Sequence, residues 1–270
     1  MAEVESEQLI GDLEVFVTEP MPLDQALKAI SDAGGELAPA QRVAQARLVA
    51  PREHSLWQRG SRVAENLVYV PANYVEGETS SFVLWTSGRH SPIPEHASKA
   101  TQANRKGEEF YVPKSDFEAV LKQARADAHK PAAERKVLFD RRVDNFEVAT
   151  EKPSADQLMQ FLFKGDLEAY VACLTKFRIP RVTVHLAGAG YTNKQKQPFA
   201  RALWLRNIVN RSGLDGNYGD LDSNGRARGV RRVAPSGAAP NRYETIARKY
   251  SLTPDALGNL LEAASAVRKQ

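Results

Sequence analysis

A run of basic side chains without a single acid is the feature of this sequence most suggestive of chemistry. Between Glu168 and Asp215, 46 consecutive residues contain neither Asp nor Glu. Like charges repel, so a structural surface usually mixes signs, and a stretch of one sign favours a polyanionic partner. The basic residues of this stretch are Lys176, Arg178, Arg181, Lys194, Lys196, Arg201, Arg206 and Arg211. We predict that these eight side chains contact nucleic-acid phosphates.

A second basic stretch lies nearer the C-terminus. No acid occurs between Asp222 and Glu244, and this segment is rich in arginine, glycine and proline. Such a composition is typical of a flexible element. Its predicted phosphate contacts are Arg226, Arg228, Arg231 and Arg232. The first 50 residues have the opposite sign, with three basic and nine acidic side chains. We call this N-terminal segment the acidic head and the basic stretches that follow Glu168 the basic tail. The net charge of +4 is the balance of these parts with the rest of the chain.

Motifs for metal, nucleotide or catalytic chemistry are weak. Segment 220–225 matches the start of a calcium loop, but Arg231 stands where the bidentate glutamate belongs. Gly188 and Gly190 resemble part of a dinucleotide loop, but Asn193 replaces the third glycine. A turn is the favoured interpretation of both segments. We therefore expect no metal site, no cofactor and no enzymatic activity.

The composition restricts the class of protein. The chain has 270 residues, of which 42% are hydrophobic and 26% charged, as in folded globular proteins. The single cysteine, Cys173, excludes an internal disulfide framework. No apolar run approaches the roughly 20 residues that a membrane helix needs, so no membrane partner is expected.

The elements that position the basic side chains are predicted to be mostly helices. β-branched and aromatic residues predict strands at 66–70, 81–85 and 109–112. Helical spacing of apolar residues predicts helices at 23–33 and 40–50, and a core helix at 154–177 that breaks near Gly165. A further helix at 198–212 would place Phe199 and Trp204 against the core and its arginines on the opposite side.

These elements predict a mainly α protein with a smaller β-containing N-terminal region, in which flexible N- and C-terminal arms extend from a helical core. The expected parts are an N-terminal arm at 1–20, a mixed α/β region at 21–114 with a long basic loop at 86–108, the helical core at 115–217, a flexible Arg/Gly-rich linker at 218–240 and a C-terminal helical pair at 241–270.

Three short segments, in order along the chain, match one family. The first match consists of Lys152, Pro153, Gln157, Met159, Phe161, Glu168, Ala169 and Tyr170. The second is Ile179-Pro180-Arg181. The third consists of Ala202, Leu205, Arg206, Asn207, Asn210, Arg211 and residues 213–217, with the sequence GLDGN. Together these segments resemble the core of potyvirus-type coat proteins, over about a quarter of the chain.

The resemblance has a clear departure. The segment between Arg181 and Ala202 is shorter than in that family and lacks its FDFYE-like stretch, which supplies an aspartate near the RNA pocket. The family's pocket residues are therefore not assigned here. What the resemblance implies is a helical core, arms that clasp neighbouring copies and a groove for single-stranded RNA.

The C-terminal unit leaves several interpretations open. Residues 241–270 resemble a helix-turn-helix of DNA-binding proteins and, equally, the helical pair of a peptidoglycan-binding LysM module, although the flanking strands of that module are missing. The favoured interpretation is two amphipathic helices that only pack. Our leading hypothesis is a non-enzymatic coat or nucleocapsid-type protein, located in the virion and host cytoplasm, that packages single-stranded RNA without sequence specificity and forms homo-oligomers through its terminal arms. The alternative is a plasmid- or phage-encoded DNA-binding protein.

Overall fold

Strands, rather than helices, organise this chain. A computed structural model describes residues 4–207, 212–217, 221 and 225–233. Within these residues, twelve strands form two sheets. The strands are β1 (Val4–Ile10), β2 (Leu13–Thr18), β3 (Glu36–Leu37), β4 (Ser61–Val70), β5 (Phe82–Thr86), β6 (Phe110–Tyr111), β7 (Val137–Asp140), β8 (Phe146–Ala149), β9 (Arg181–His185), β10 (Phe199–Leu205), β11 (Ser212–Asp215) and β12 (Arg228–Arg232).

Helices of modest length connect and cover the strands. In the described part of the chain they are α1 (Leu23–Asp32), α2 (Ala40–Val49), α3 (Ser55–Gln58), α4 (Pro92–Glu95), α5 (Ala97–Arg105), α6 (Lys114–Asp127), α7 (Gln157–Phe163), α8 (Leu167–Lys176) and α9 (Ala189–Thr192). Short 3₁₀ turns occur at 88–90, 132–134, 153–155 and 164–166. None of the described helices is long and apolar enough to span a bilayer.

The larger sheet has the strand order β7-β5-β4-β10-β11-β9-β8. Its pairs are antiparallel except for β11 and β9, which run parallel. Strand β10 is central: β4 pairs along one side of it, while β6 and β11 share the other. The first residues of β10 thus lie between the end of β4 and the short β6.

Two apolar cores cover the two faces of this sheet. Alternate residues of a strand point to opposite faces, and in β4 Leu67 and Tyr69 join one core while Val68 and Val70 join the other. Helices α2, α7 and α8 cover the first core, and α5 and α6 cover the second. Because both faces are covered, the central strands are buried along nearly their whole length.

The smaller sheet joins the two ends of the described chain, in the order β1-β2-β12-β3. Its Phe16 packs with Ala26 and Ile30 of α1. This packing requires glycine at position 229, because a Cβ there would lie 2.3 Å from the Phe16 ring. The pairing of β1 with β2 shifts register between Ser6 and Gln8, and this bulge lets Glu7 point into the protein.

The mainly α prediction is wrong, and β10 shows the reason. Segment 199–205 was expected to be helical but forms a central strand. Phe199 and Leu203 belong to one core, and Ala200 and Ala202 to the other. A spacing of four residues brings two side chains to the same side of a strand as well as of a helix, so a short apolar run fits either.

Other segments divide between confirmation and correction. The strands expected at 66–70, 81–85 and 109–112 are confirmed by β4, β5 and β6, and the helices at 23–33 and 40–50 by α1 and α2. The core helix breaks near Gly165 into α7 and α8, as expected. The segment 86–108, expected to be a long loop, instead forms a 3₁₀ turn followed by α4 and α5.

The terminal segments have different outcomes. Residues 1–20, expected to be an arm, contain β1 and β2, and the buried Val15, Phe16 and Val17 belong to the core. Most of the linker expected at 218–240 and all of the helical pair expected at 241–270 lie outside the described residues. The part of the linker that is described includes β12, an interior strand of the smaller sheet.

A buried ion pair fixes the smaller sheet. Arg228 donates from Nε to Glu7 Oε2 at 2.6 Å, and the two side chains are 0% and 2% exposed. Arg228 also donates to Ser61 Oγ at 2.6 Å, which ties β12 to β4 of the larger sheet.

Burial raises the pKa of Glu7, but hydrogen bonding and attraction to Arg228 outweigh this effect and leave that pKa below its ordinary value. The pair therefore stabilises the fold above the ordinary glutamate pKa, and this stabilisation is lost as the pH falls through the lowered pKa.

We predict that Glu7→Gln lowers the free energy of unfolding by about 3–5 kcal/mol, because it leaves the buried guanidinium of Arg228 without its counter-charge. Urea unfolding at neutral pH measures this change. Glu5→Gln, at an exposed position in the same strand, is the matched control. If both variants unfolded within about 0.5 kcal/mol of each other, the pair would not have the structural role assigned to it.

Glu65 is a second buried carboxyl group, and its main contact is a backbone hydrogen bond. Glu65 of β4 accepts a hydrogen bond from the backbone N–H of Ala40, at the start of α2, at 2.9 Å. Burial raises the pKa of Glu65 to about 7, although this hydrogen bond and the charge of Lys164 act in the opposite direction. Between pH 4.5 and about 7, the folded chain therefore holds a proton that the unfolded chain releases.

It follows that the free energy of unfolding decreases as the pH rises through this window, by roughly 3 kcal/mol in total for a shift of this size. In Glu65→Gln that decrease should disappear, and the variant should be more stable than the wild-type chain at pH 8. Urea unfolding at pH 5 and pH 8 tests both expectations, with the exposed Glu53→Gln as control. Equal pH dependence in Glu65→Gln and the wild-type chain would contradict the assignment.

Candidate functional site

Aromatic side chains line up across three strands at one end of the larger sheet. Phe199 of β10 lies opposite Tyr69 of β4 on one side and Tyr111 of β6 on the other. Directly opposed residues of antiparallel strands share a face, and the rings of Tyr69 and Phe199 stack with centroids 5.0 Å apart. Tyr191 of α9 packs edge-on against Phe199 at 5.9 Å. The strand register and the short helix α9 thus bring together four rings from three parts of the sequence.

Arg201 lies at the centre of this cluster, two residues further along β10. Its guanidinium carbon is 5.0 Å from the ring centroid of Tyr191 and 5.4 Å from that of Phe199, distances typical of cation–π contacts. Its charge is balanced by an ion pair with Glu109, and it also donates to Asn217. Only 7% of Arg201 is exposed, so this arginine packs against the buried side of the rings and does not face solvent.

Polar side chains hold the two outer tyrosines in place. The hydroxyl of Tyr191 donates to Glu109 Oε1 at 2.6 Å, and the hydroxyl of Tyr111 donates to Gln195 Oε1 at 2.9 Å. Burial and the neighbouring carboxylate of Glu109 raise the pKa of Tyr191. Tyr191 therefore remains a neutral hydrogen-bond donor at physiological pH.

The two outer rings remain open to solvent despite these anchors. Tyr111 is 43% and Tyr191 40% exposed, although large aromatic side chains are usually buried. We call the surface formed by Glu109, Tyr111, Tyr191 and Gln195, with Arg201 buried behind it, the tyrosine face. It presents flat apolar rings next to hydrogen-bonding groups whose charges cancel, which suits recognition of a ligand better than proton transfer or nucleophilic attack.

Most of the predicted phosphate-binding arginines have carboxylate partners in the structure. Arg181 pairs with Glu147, Arg201 with Glu109, Arg206 with Asp215, Arg226 with Glu19, Arg228 with Glu7 and Arg231 with Glu14. Three of these acids, at positions 7, 14 and 19, belong to the acidic head. Head and tail charges therefore compensate each other within one chain.

The remaining predicted contacts lie on the surface in separate places. Lys194 and Lys196 flank Gln195 of the tyrosine face and are exposed. Lys176 is the last residue of α8 and Arg178 follows shortly after it, and Arg232 ends β12. All five side chains are exposed, whereas Arg211 lies outside the described residues. Of the predicted contacts that the structure describes, Lys194 and Lys196 lie beside the tyrosine face and Arg201 lies behind it.

Sequence reasoning found part of this face and missed its centre. Glu109 and Tyr111 lie in the segment 109–112, where the sequence predicts the strand that the structure confirms as β6. Glu109 and Arg201 are 92 residues apart in the sequence, and no local sequence pattern predicts that they form a pair. The prediction that Arg201 lies on a helix surface was wrong, because β10 turns this side chain inward.

Comparison with known proteins bears on the fold alone. No family model matches the chain, and no curated protein matches it. A solved structure described as "Accommodation of massive sequence variation in Nanoarchaeota by the C-type lectin fold" is similar, with a TM-score of 0.56 and 15% sequence identity. The similarity covers 85% of this chain and all of that one. The architecture of this chain therefore resembles the C-type lectin fold.

Proposed function

We propose that this chain is a non-enzymatic recognition protein that binds a protein partner through the tyrosine face. The observation that carries the proposal is the pair of exposed rings, Tyr111 and Tyr191, whose hydroxyls are held by Gln195 and Glu109. Tyrosine is enriched at protein interfaces, because a large ring with few rotatable bonds buries much area at a low entropic cost. The anchoring hydrogen bonds reduce that cost further.

The position of the face in the fold supports this proposal. Tyr191 and Gln195 lie in the connection between β9 and β10, while the residues beneath them belong to the sheet. Binding residues are often carried by loops on a rigid scaffold. The Nanoarchaeota structure is described as a C-type lectin fold that accommodates massive sequence variation. We propose a similar division here, in which the buried ion pairs and two cores preserve the fold while surface residues near the face determine the partner.

The first prediction for this function concerns the two exposed rings. Once a partner has been isolated on the immobilised chain and purified, Tyr111→Ala and Tyr191→Ala should each weaken its affinity about 30-fold, as expected for interface positions that contribute about 2 kcal/mol. Surface plasmon resonance with the purified partner measures the loss.

Tyr74→Ala is the matched control for these two variants. Tyr74 is 39% exposed, but its ring packs against Phe117, which belongs to the core on the opposite face of the sheet. Its replacement should leave the affinity unchanged. A partner that bound both tyrosine-face variants as tightly as the wild-type chain would place recognition elsewhere.

Single-stranded RNA is the second candidate ligand, and one observation favours it. Lys194 and Lys196 are exposed beside the open ring of Tyr191. An aromatic ring with flanking cations is the usual arrangement for stacking on unpaired bases while neutralising the backbone. RNA packaging, assembly into homo-oligomers and a virion location stay predictions of this candidate. DNA binding by residues 241–270 concerns a segment outside the described residues and also stays a prediction.

The two candidates differ in their dependence on salt. If RNA is the ligand, the affinity for a 20-nucleotide strand should fall steeply as salt is raised, and Lys194→Gln with Lys196→Gln should flatten that dependence. Fluorescence anisotropy of a labelled strand measures both effects. For a protein-recognition surface we expect no RNA binding at physiological salt, and specific RNA binding that requires Tyr191 would favour the second candidate over the first.

A further inference from the structure

A large cavity lies between the smaller sheet and the helices beside it. Its volume is about 860 Å³, and it is separate from the tyrosine face. The sheet side is formed by the turns before β2 and β3 and by the end of β12, and the helical side by the start of α2 and the 3₁₀ turn at 164–166. Four cations line it, namely Arg42, Lys164, Arg231 and Arg232, together with the two acids Asp12 and Glu36.

A hydrogen-bond network positions the cations of the helical side. Arg42 donates from Nη1 to Gln45 Oε1 at 2.7 Å, and Gln45 in turn donates to Asp166 Oδ2 at 2.9 Å. Gln41 donates to the same carboxylate oxygen at 2.6 Å. These bonds fasten the 3₁₀ turn to α2, so that Lys164 and Arg42 stand at the same wall of the cavity.

The cations differ in how much of their charge is available. Arg231 is bound to Glu14 at 2.7 Å and to the carbonyl oxygen of Ala33 at 2.8 Å, so its charge is compensated. Within the described part of the chain, no carboxylate forms an ion pair with Arg42, Lys164 or Arg232. These three cations outnumber the two acids of the cavity, Asp12 and Glu36, and so favour an anionic ligand.

Lys164 has a backbone conformation that its residue type rarely adopts. Its φ is +48° and its ψ is −130°, a region that favours glycine. Gly165 follows immediately, so the sequence has a glycine one position away from where the turn needs it. Residues with strained backbone conformations cluster at ligand-binding and active sites, where the side chain is needed for function. The cavity wall provides such a function for a lysine.

We propose that this cavity binds a small phosphorylated molecule that also carries hydroxyl or amino groups, which is the chemistry of nucleotides and sugar phosphates. The phosphate is held by Arg42, Lys164 and Arg232 through charge-assisted hydrogen bonds. Asp12 and Glu36 accept hydrogen bonds from the donor groups of the same ligand. Because of these two acids, we expect the site to prefer an organic phosphate to a bare inorganic anion. The proposal is independent of the function assigned to the tyrosine face.

Isothermal titration calorimetry of the full chain tests the site with two phosphorylated probes, adenosine diphosphate and glucose 6-phosphate. Adenosine and glucose are the matched probes without phosphate. We expect at least one phosphorylated probe to bind, the stronger one identifying the ligand as nucleotide or sugar phosphate, and neither unphosphorylated probe to bind. Arg42→Gln and Lys164→Gln should each weaken binding at least about tenfold, whereas Lys122→Gln, at an exposed position of α6, should not.

Lys164→Gly separates ligand binding from stability. Glycine relieves the backbone strain, so this variant should unfold at a higher temperature than the wild-type chain while binding the probe at least about tenfold more weakly. A purely structural role of Lys164 would not give this combination. The proposal is overturned if neither phosphorylated probe binds at millimolar concentration, or if Arg42→Gln and Lys164→Gln bind as tightly as the wild-type chain.

Discussion

The ion pair between Glu7 and Arg228 is the interaction on which the rest of this architecture depends. It joins the first strand to the last described strand, and both of its members are buried. Two charges removed from water are stable only when each is fully satisfied. The bulge in β1 turns Glu7 inward, and the guanidinium of Arg228 also donates to Ser61 Oγ of β4 and to the carbonyl oxygens of Ser55 and Arg59. The smaller sheet is thereby closed and connected to the larger one.

This pairing changes what the charge distribution means. Along the sequence, an acidic head and an acid-free basic stretch favour an external polyanion. In the fold, Glu7, Glu14 and Glu19 lie beside the arginines of β12 and the segment before it. Arg201 is likewise used inside the protein, where it supports Tyr191. Most of the arginines predicted to neutralise an RNA backbone are thus paired with carboxylates of the same chain, and for this reason we propose recognition of a protein partner rather than coating of RNA.

Part of this structure could be predicted from the sequence. The strands β4, β5 and β6 follow from β-branched and aromatic residues, and α1 follows from its regular apolar spacing. The strand β10 could not be predicted, since the spacing of Phe199 and Leu203 fits both periodicities and only burial on both faces decides between them. The partners of Arg201 and Arg228 are 92 and 221 residues away, and a single sequence contains no signal for such distances. Local order was therefore predictable, whereas charge compensation was not.

The central claim is that the acidic head and the basic β12 meet inside one chain. Leu13 and Arg232 are register partners across β2 and β12, and opposed residues place their Cβ atoms within reach of a disulfide. In a chain with Cys173→Ser, the paired substitutions Leu13→Cys and Arg232→Cys should therefore oxidise to a cross-linked monomer. Non-reducing gel electrophoresis reads the product directly. Disulfide-linked dimers and higher oligomers, or thiols that stay free, would contradict the claim.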